Sequence, residues 1–208
     1  LAITLIIVSS RTEAASDITN DLQQWSVITL RAELPHKILL YGEVQPRMGD
    51  GINHIDRVLL RPAIGYKLTP KLSIWQGYAW TPTFLNSKNE GHFNSEQRLF
   101  QQLLHEDKLN KLSITNRTRL EERFIEATGG MSVRARHMLR LAYPVSRSGK
   151  WSVVGYEELF WNFSDVVAGP QAGFDQSRTF VGLNRKISKH LNIEAGYMAN
   201  YVNRYNST

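Results

Sequence analysis

With 208 residues and no cysteine, the chain is long enough for one domain with a sizeable core or for one barrel, and it cannot hold a disulfide scaffold, a Cys-ligated metal or a Cys nucleophile. Its 25 Lys and Arg against 19 Asp and Glu leave a formal charge of +6, which invites a nucleic-acid partner, but the placement of the cations argues against one. Eight of the nine Lys, namely Lys37, Lys67, Lys71, Lys108, Lys111, Lys150, Lys186 and Lys189, sit in or beside short connections while most Arg sit inside strand-like runs; Lys is a strongly hydrated point charge and Arg tolerates buried ion-pair networks, so the split implies wet turns and an enclosed, charged interior.

The opening LAITLIIVSSRTEAAS is apolar from Leu1 to Val8 and then reaches Ala14, Ala15 and Ser16. That order matches the apolar core and small-residue cleavage site of a secretory leader, cut after Ala15, and it is too short to span a bilayer as a helix. The alternative for the same stretch is an N-terminal apolar strand. A basic start and an initiating Met are missing, so the sequence is expected to begin inside the leader; losing residues 1–15 removes Arg11 and Glu13 and leaves the charge at +6. Residues 16–208 then read as a single domain, because no linker or shift of composition divides them.

Ten strand-like runs follow, each identified by its two-residue alternation. They cover residues 25–34, 37–47, 55–68, 72–80, 96–107, 112–124, 133–143, 151–163, 178–184 and 191–201. The first opposes Ile28, Leu30, Ala32 and Leu34 to Thr29, Arg31 and Glu33, and the third opposes Val58, Leu60, Ile64 and Tyr66 to Arg57, Arg61 and Gly65. The clearest are the sixth and seventh, TNRTRLEERFIEATGGMSVRARHMLRLAY, where Arg117, Arg119 and Arg123, then Arg134, Arg136 and Arg140, share one face. A helix would scatter these residues around its circumference, whereas a strand collects them. Gln76, Gln101 and Glu157 interrupt otherwise apolar faces.

Runs of about ten residues exceed the usual soluble strand and match a tilted strand crossing a bilayer. Aromatic residues gather near the run ends, and Trp25, Tyr66, Trp80, Tyr143, Trp151, Phe163 and Tyr201 are expected to form girdles at the two membrane interfaces. A β-protein can span hydrocarbon only by closing on itself, which turns the apolar face to lipid and leaves the Arg face only the lumen. The fold expected is therefore all-β, an antiparallel up-and-down transmembrane β-barrel with ten strands visible and about 10–12 when complete. Its lumen should be lined by Glu43, Arg47, Arg57, Arg61, Glu96, Arg98, Arg117, Arg119, Glu121, Arg123, Arg134, Arg136, Arg140, Glu158 and Arg178, with the cations in excess. The competing architecture is a soluble β-sandwich or lipocalin-like barrel with its apolar face inward.

NRTRLEERF at residues 116–124 and the RxRxxxRLxYP pattern at 134–144, with EQRLFQQ at 96–102, YEELFWN at 156–162 and FDQSRTFVGL at 174–183, resemble the domain of unknown function 2490 family across nearly the whole mature chain. The resemblance implies a proteobacterial outer-membrane β-barrel and supplies no catalytic residues. It also implies closing strands beyond NRYNST, so a C-terminal truncation is expected. Long connections follow the even runs (MGDGINHI, TPTFLNSKNEGHFNSE, TGGM, DVVAGPQAGFD) and short ones the odd runs. Because periplasmic turns are normally the short ones, the first run would descend, unless SDITNDLQQ supplies a further strand or crosses the lumen.

Candidate chemistry is thin. A Ser–His pair on one strand face could serve a lipid hydrolase, but His92 and Ser95 are three apart in a loop, and Ser188 and His190 fall in the turn KISKHL. His54 with Asp56, or His105 with Asp107, offers too few ligands for a metal. Neither enzyme activity nor a cofactor is expected. The Arg face supports passage or binding of small anionic solutes, or else a structural barrel whose lumen is filled by Arg–Glu bridges and whose loops meet partners. The expected surroundings are the outer membrane with its lipid bilayer and lipopolysaccharide, and the outer-membrane assembly machinery, with no nucleic acid.

Overall fold

A computed structural model describes residues 2–14, 21–49, 52–84, 93–167 and 169–203. The strands are β1 (Ala2–Ala14), β2 (Asp21–Glu33), β3 (Ile38–Gly49), β4 (His54–Lys67), β5 (Leu72–Phe84), β6 (Phe93–Leu109), β7 (Leu112–Ile125), β8 (Gly130–Pro144), β9 (Trp151–Asn162), β10 (Gly173–Lys186) and β11 (Leu191–Val202). Each pairs antiparallel with the next in sequence, and β1 closes the barrel against β11 in parallel. The ten runs read from the sequence are β2–β11, and the eleventh strand is the apolar stretch for which leader and strand were the two readings. DLQQ extends β2 rather than forming a strand of its own. Meander strands alternate in direction, so an odd number forces one parallel pair at closure.

The alternation that defines the strands also sorts their side chains. Ile28, Leu30, Val44, Ile64, Leu99, Leu103, Leu139, Leu141, Leu159 and Val181 are exposed on the outer wall. Glu43, Arg61, Arg119, Glu121, Arg134, Arg136, Glu158 and Glu194 are buried inside. A soluble sandwich would reverse this arrangement, and the closed barrel excludes it.

Inward aromatic rings fill part of the lumen and need room from the next strand. Trp75 stands opposite Gly65 and Phe100 opposite Gly77. A Cβ on Gly65 would lie 2.5 Å from the Trp75 ring, and one on Gly77 2.1 Å from Phe100. Each glycine is thus the cavity that its neighbour's ring occupies. Two apolar clusters result: Trp25 with Val154, Phe180 and Met198, and Leu39 with Trp75 and Leu104.

The short turns gather at one end of the barrel and carry the Lys. There Lys67 pairs with Glu33 at 2.6 Å, Lys71 with Asp107 at 2.7 Å and Arg31 with Glu106 at 2.7 Å. The longer connections gather at the opposite end. One of them, between β9 and β10, is tied down by Asn162 Nδ2 donating to the Gln171 carbonyl and Ala172 N–H donating to Asp165, and its Pro170 reaches over the lumen.

Candidate anion-binding lumen

The lumen is organised around two buried carboxylates. On β7, Arg117, Arg119, Glu121 and Arg123 fall at every second position and so point inward together. Glu121 accepts from Arg134 Nη2 at 2.7 Å and from Arg136 Nη1 at 2.6 Å. Its neighbour across the network, Glu158, accepts from Arg136 Nη2 at 2.8 Å and Arg117 Nη2 at 2.7 Å. Arg136 therefore bridges both acids. Further pairs complete the wall: Arg61 with Glu43 at 2.7 Å, Arg140 with Glu194 at 2.6 Å, Arg134 with Asp175 at 3.0 Å, and both Arg98 and Arg123 with Glu96 at 2.8 and 2.5 Å. Tyr41 donates its hydroxyl to the same Glu43 oxygen.

Not every guanidinium finds an acid. Among the described residues, Arg47 and Arg178 have no carboxylate within ion-pair distance. Arg47 lies 3.8 Å from the centre of the Trp25 ring and Arg178 5.0 Å from it. Arg178 also lies 4.6 Å from the Phe160 ring and donates to the Asn200 side-chain oxygen at 3.3 Å. Arg119 rests 4.2 Å from the Phe100 ring, donates to Gln102 and stands 3.6 Å from Glu121. Among the described residues, the buried nitrogens Arg47 Nε, Arg61 Nε and Arg119 Nη1 have no hydrogen-bond acceptor. Aromatic faces thus do for part of the Arg set what carboxylates do for the rest.

Two chambers lie inside. The larger, about 510 Å³, opens toward the long loops and is lined by ten arginines and five carboxylates. The smaller, about 220 Å³, lies toward the short turns between Arg31, Trp75, Phe100 and Glu106. Tyr41, Arg117, Met138 and Arg140 line both and so stand between them.

Of the fifteen charged residues named from the sequence, thirteen line the larger chamber, Arg119 lines the smaller, and Glu121 is buried beneath the network. Of the expected outward aromatics, Tyr66, Trp80, Tyr143, Trp151, Phe163 and Tyr201 are exposed on the outer wall. Trp25 is the correction. It is 4% exposed and faces the lumen, because it shares the parity of Thr29 and not that of Ile28, and position near a strand end does not override the pleat. Phe100, Phe160 and Asp175 are lumen residues that the sequence reading passed over; for the two rings, parity with Arg98 and Glu158 was the available signal.

The other candidates do not converge on a reaction. Ser188 Oγ accepts from the His190 and Leu191 N–H groups and so caps its turn. Ser95 is bound to Glu126, and its suggested partner His92 lies outside the described residues, as does the Ala15 cleavage position. Asp56 is paired with Arg57 and Asp107 with Lys71. Among the described residues, no three His, Asp or Glu side chains gather as a metal site would require.

Residues 22–208 match the family described as "Protein of unknown function (DUF2490)". The chain belongs to the DUF2490 family. A DUF2490 barrel of this kind is also similar to an uncharacterized protein of Methylorubrum extorquens strain AM1, with 33% identity over 200 residues, 95% of this chain and 86% of the relative. No solved structure matches it. The DUF2490 match begins inside β2, so β1 lies outside it.

Proposed function

We propose that this DUF2490 protein is a porin-like outer-membrane barrel whose lumen binds small anionic solutes and gives them limited passage. The observation that carries the reading is the larger chamber, where arginines outnumber carboxylates two to one and Arg47 and Arg178 lack an acid partner among the described residues. Arg47 and Arg178 are partly buried and line the chamber, where charges are screened less than in bulk water, so a carboxylate or phosphate entering it supplies the counter-charge that the protein does not. The apolar outer wall and the aromatic residues near the strand ends support bilayer insertion. Because Tyr41, Arg117, Met138 and Arg140 stand between the two chambers, binding is the stronger component of the reading and passage the slower one.

Export belongs to the same reading. Residues 1–15 act as the leader, consistent with a family match that starts at residue 22. Since β2 is antiparallel to β1 and β1 parallel to β11, β2 and β11 are antiparallel to one another. Loss of β1 therefore leaves ten strands able to close as an even-numbered barrel.

The test is a planar-bilayer recording under a salt gradient. The wild type should show a reversal potential displaced toward that of the anion, and Arg47→Ser combined with Arg178→Ser should bring it toward zero. Conductance without anion preference in the wild type would overturn the reading.

A further inference from the structure

The outer wall carries polar groups where a lipid-facing wall should have none. At the midpoint of β7 and β8, Thr118 Oγ1 and His137 Nδ1 lie 2.9 Å apart. At the midpoint of β9 and β10, Thr179 donates its hydroxyl to Glu157 Oε2. His137 is exposed, and it stands opposite Leu159, two residues along β9 from Glu157. The flanking outward residues are apolar: Leu139 and Leu141 on β8, Val153, Leu159 and Trp161 on β9, with Tyr143 and Trp151 beyond them toward the turns. An acid and an imidazole therefore sit halfway up a greasy wall.

Each has one half of its hydrogen-bonding capacity left over. With the Thr118 hydroxyl donating to Nδ1, His137 presents Nε2–H as a donor, and the imidazolium presents the same group. Glu157 Oε2 is taken by Thr179, while Oε1 has no partner among the described residues. No hydrogen bond or ion pair joins His137 to Glu157 within the chain. Ionisable groups placed in hydrocarbon are unfavourable and call for a partner.

We infer that the outer face of β8 and β9 is a two-fold contact between two copies of this protein within the membrane, with His137 Nε2–H of each copy donating to Glu157 of the other. A donor and an acceptor side by side on adjacent strands form a self-complementary pair, and a two-fold axis between them satisfies both at once. Gly155 lies on the same outward face of β9, two residues from Glu157; beyond it only the Phe180 backbone oxygen, at 3.6 Å, comes near a built Cβ. That shallow place lets the second wall approach. The inference rests on the bilayer reading above.

The experiment uses protein extracted from the outer-membrane fraction in mild detergent, with its mass measured by light scattering. Wild type should be a dimer, and His137→Leu or Glu157→Leu should weaken dimerisation by about tenfold, since two symmetry-related polar contacts in a membrane are lost together. The exchanged variant carrying both His137→Glu and Glu157→His should dimerise like wild type. Because the chain has no cysteine, Gly155→Cys oxidised with copper–phenanthroline should give a disulfide-linked dimer, while Ile64→Cys on the far wall should not. A monomeric wild type in that fraction, or equal cross-linking at both positions, overturns the contact. Absence of the wild type from the outer-membrane fraction overturns the bilayer reading instead.

Discussion

Replacing Glu121 by Gln keeps the side chain's volume and removes one negative charge from the centre of the network. Arg134 and Arg136 then lose the carboxylate they meet at 2.7 and 2.6 Å, and Arg119 loses the only acid within 4 Å among the described residues. Glu121 is 1% exposed, so water cannot easily replace it. Removing one partner of a buried ion pair is unfavourable by about 3–5 kcal/mol, against under about 1 kcal/mol for an exposed pair such as Lys67–Glu33. Adding Arg136→Met removes one cation from a network left with excess positive charge, and Glu158, which Arg136 also met at 2.8 Å, stays paired with Arg117. The double variant should therefore be more stable than Glu121→Gln alone. Urea unfolding in lipid vesicles, followed by Trp fluorescence, measures both. Phosphate should recover part of the loss, by about 1.4 kcal/mol once its concentration reaches about ten times the dissociation constant. A loss below about 1 kcal/mol in the single variant, or a double variant weaker than the single, would refute the buried-network account.

Other perturbations separate packing, anion binding and processing. Gly77→Val places a branched side chain where the Phe100 ring lies 2.1 Å from a bare Cβ; it should destabilise by at least about 1–3 kcal/mol, and Phe100→Ala should rescue it, as read by urea midpoints. Arg47→Ser with Arg178→Ser strands no carboxylate, so the midpoint should hold within about 1 kcal/mol while phosphate protection falls. Arg61→Ser, which strands Glu43, should lose stability by the larger amount expected of a broken buried pair, about 3–5 kcal/mol. N-terminal sequencing of protein from the outer membrane should begin at Ser16, and recovery of residues 2–14 would place β1 in the working barrel.

Strict alternation made the charged wall legible in advance. Arg117, Arg119, Glu121 and Arg123 sit at every second position of β7, and nothing but a strand can bring them together. Trp25 was misplaced because aromatic character near a strand end was weighed above parity. In β1 the residues Ala2, Ile3, Leu5, Ile6 and Ile7 are apolar at both parities, so periodicity does not distinguish a leader from a strand there. The partners across the lumen were beyond reach for a different reason. Arg140 with Glu194 and Arg31 with Glu106 are joined by the radius and stagger of the barrel, which no local pattern encodes. The interruptions Gln76, Gln101 and Glu157 were visible as breaks in apolar faces, and Glu157 acquires meaning only beside His137.

The ring-and-glycine pairs also act as a proofreading device for strand alignment. A slip of one residue turns a strand inside out and hydropathy alone rejects it. A slip of two preserves inside and outside, and hydropathy is blind to it. Here such a slip would set Phe100 against either Trp75 or Ala79 instead of Gly77, and Trp75 against Ala63 or Lys67 instead of Gly65. Large rings would meet side chains where they now meet none, so the correct alignment of β4, β5 and β6 is selected by steric fit in the lumen, independently of whatever surrounds the outer wall.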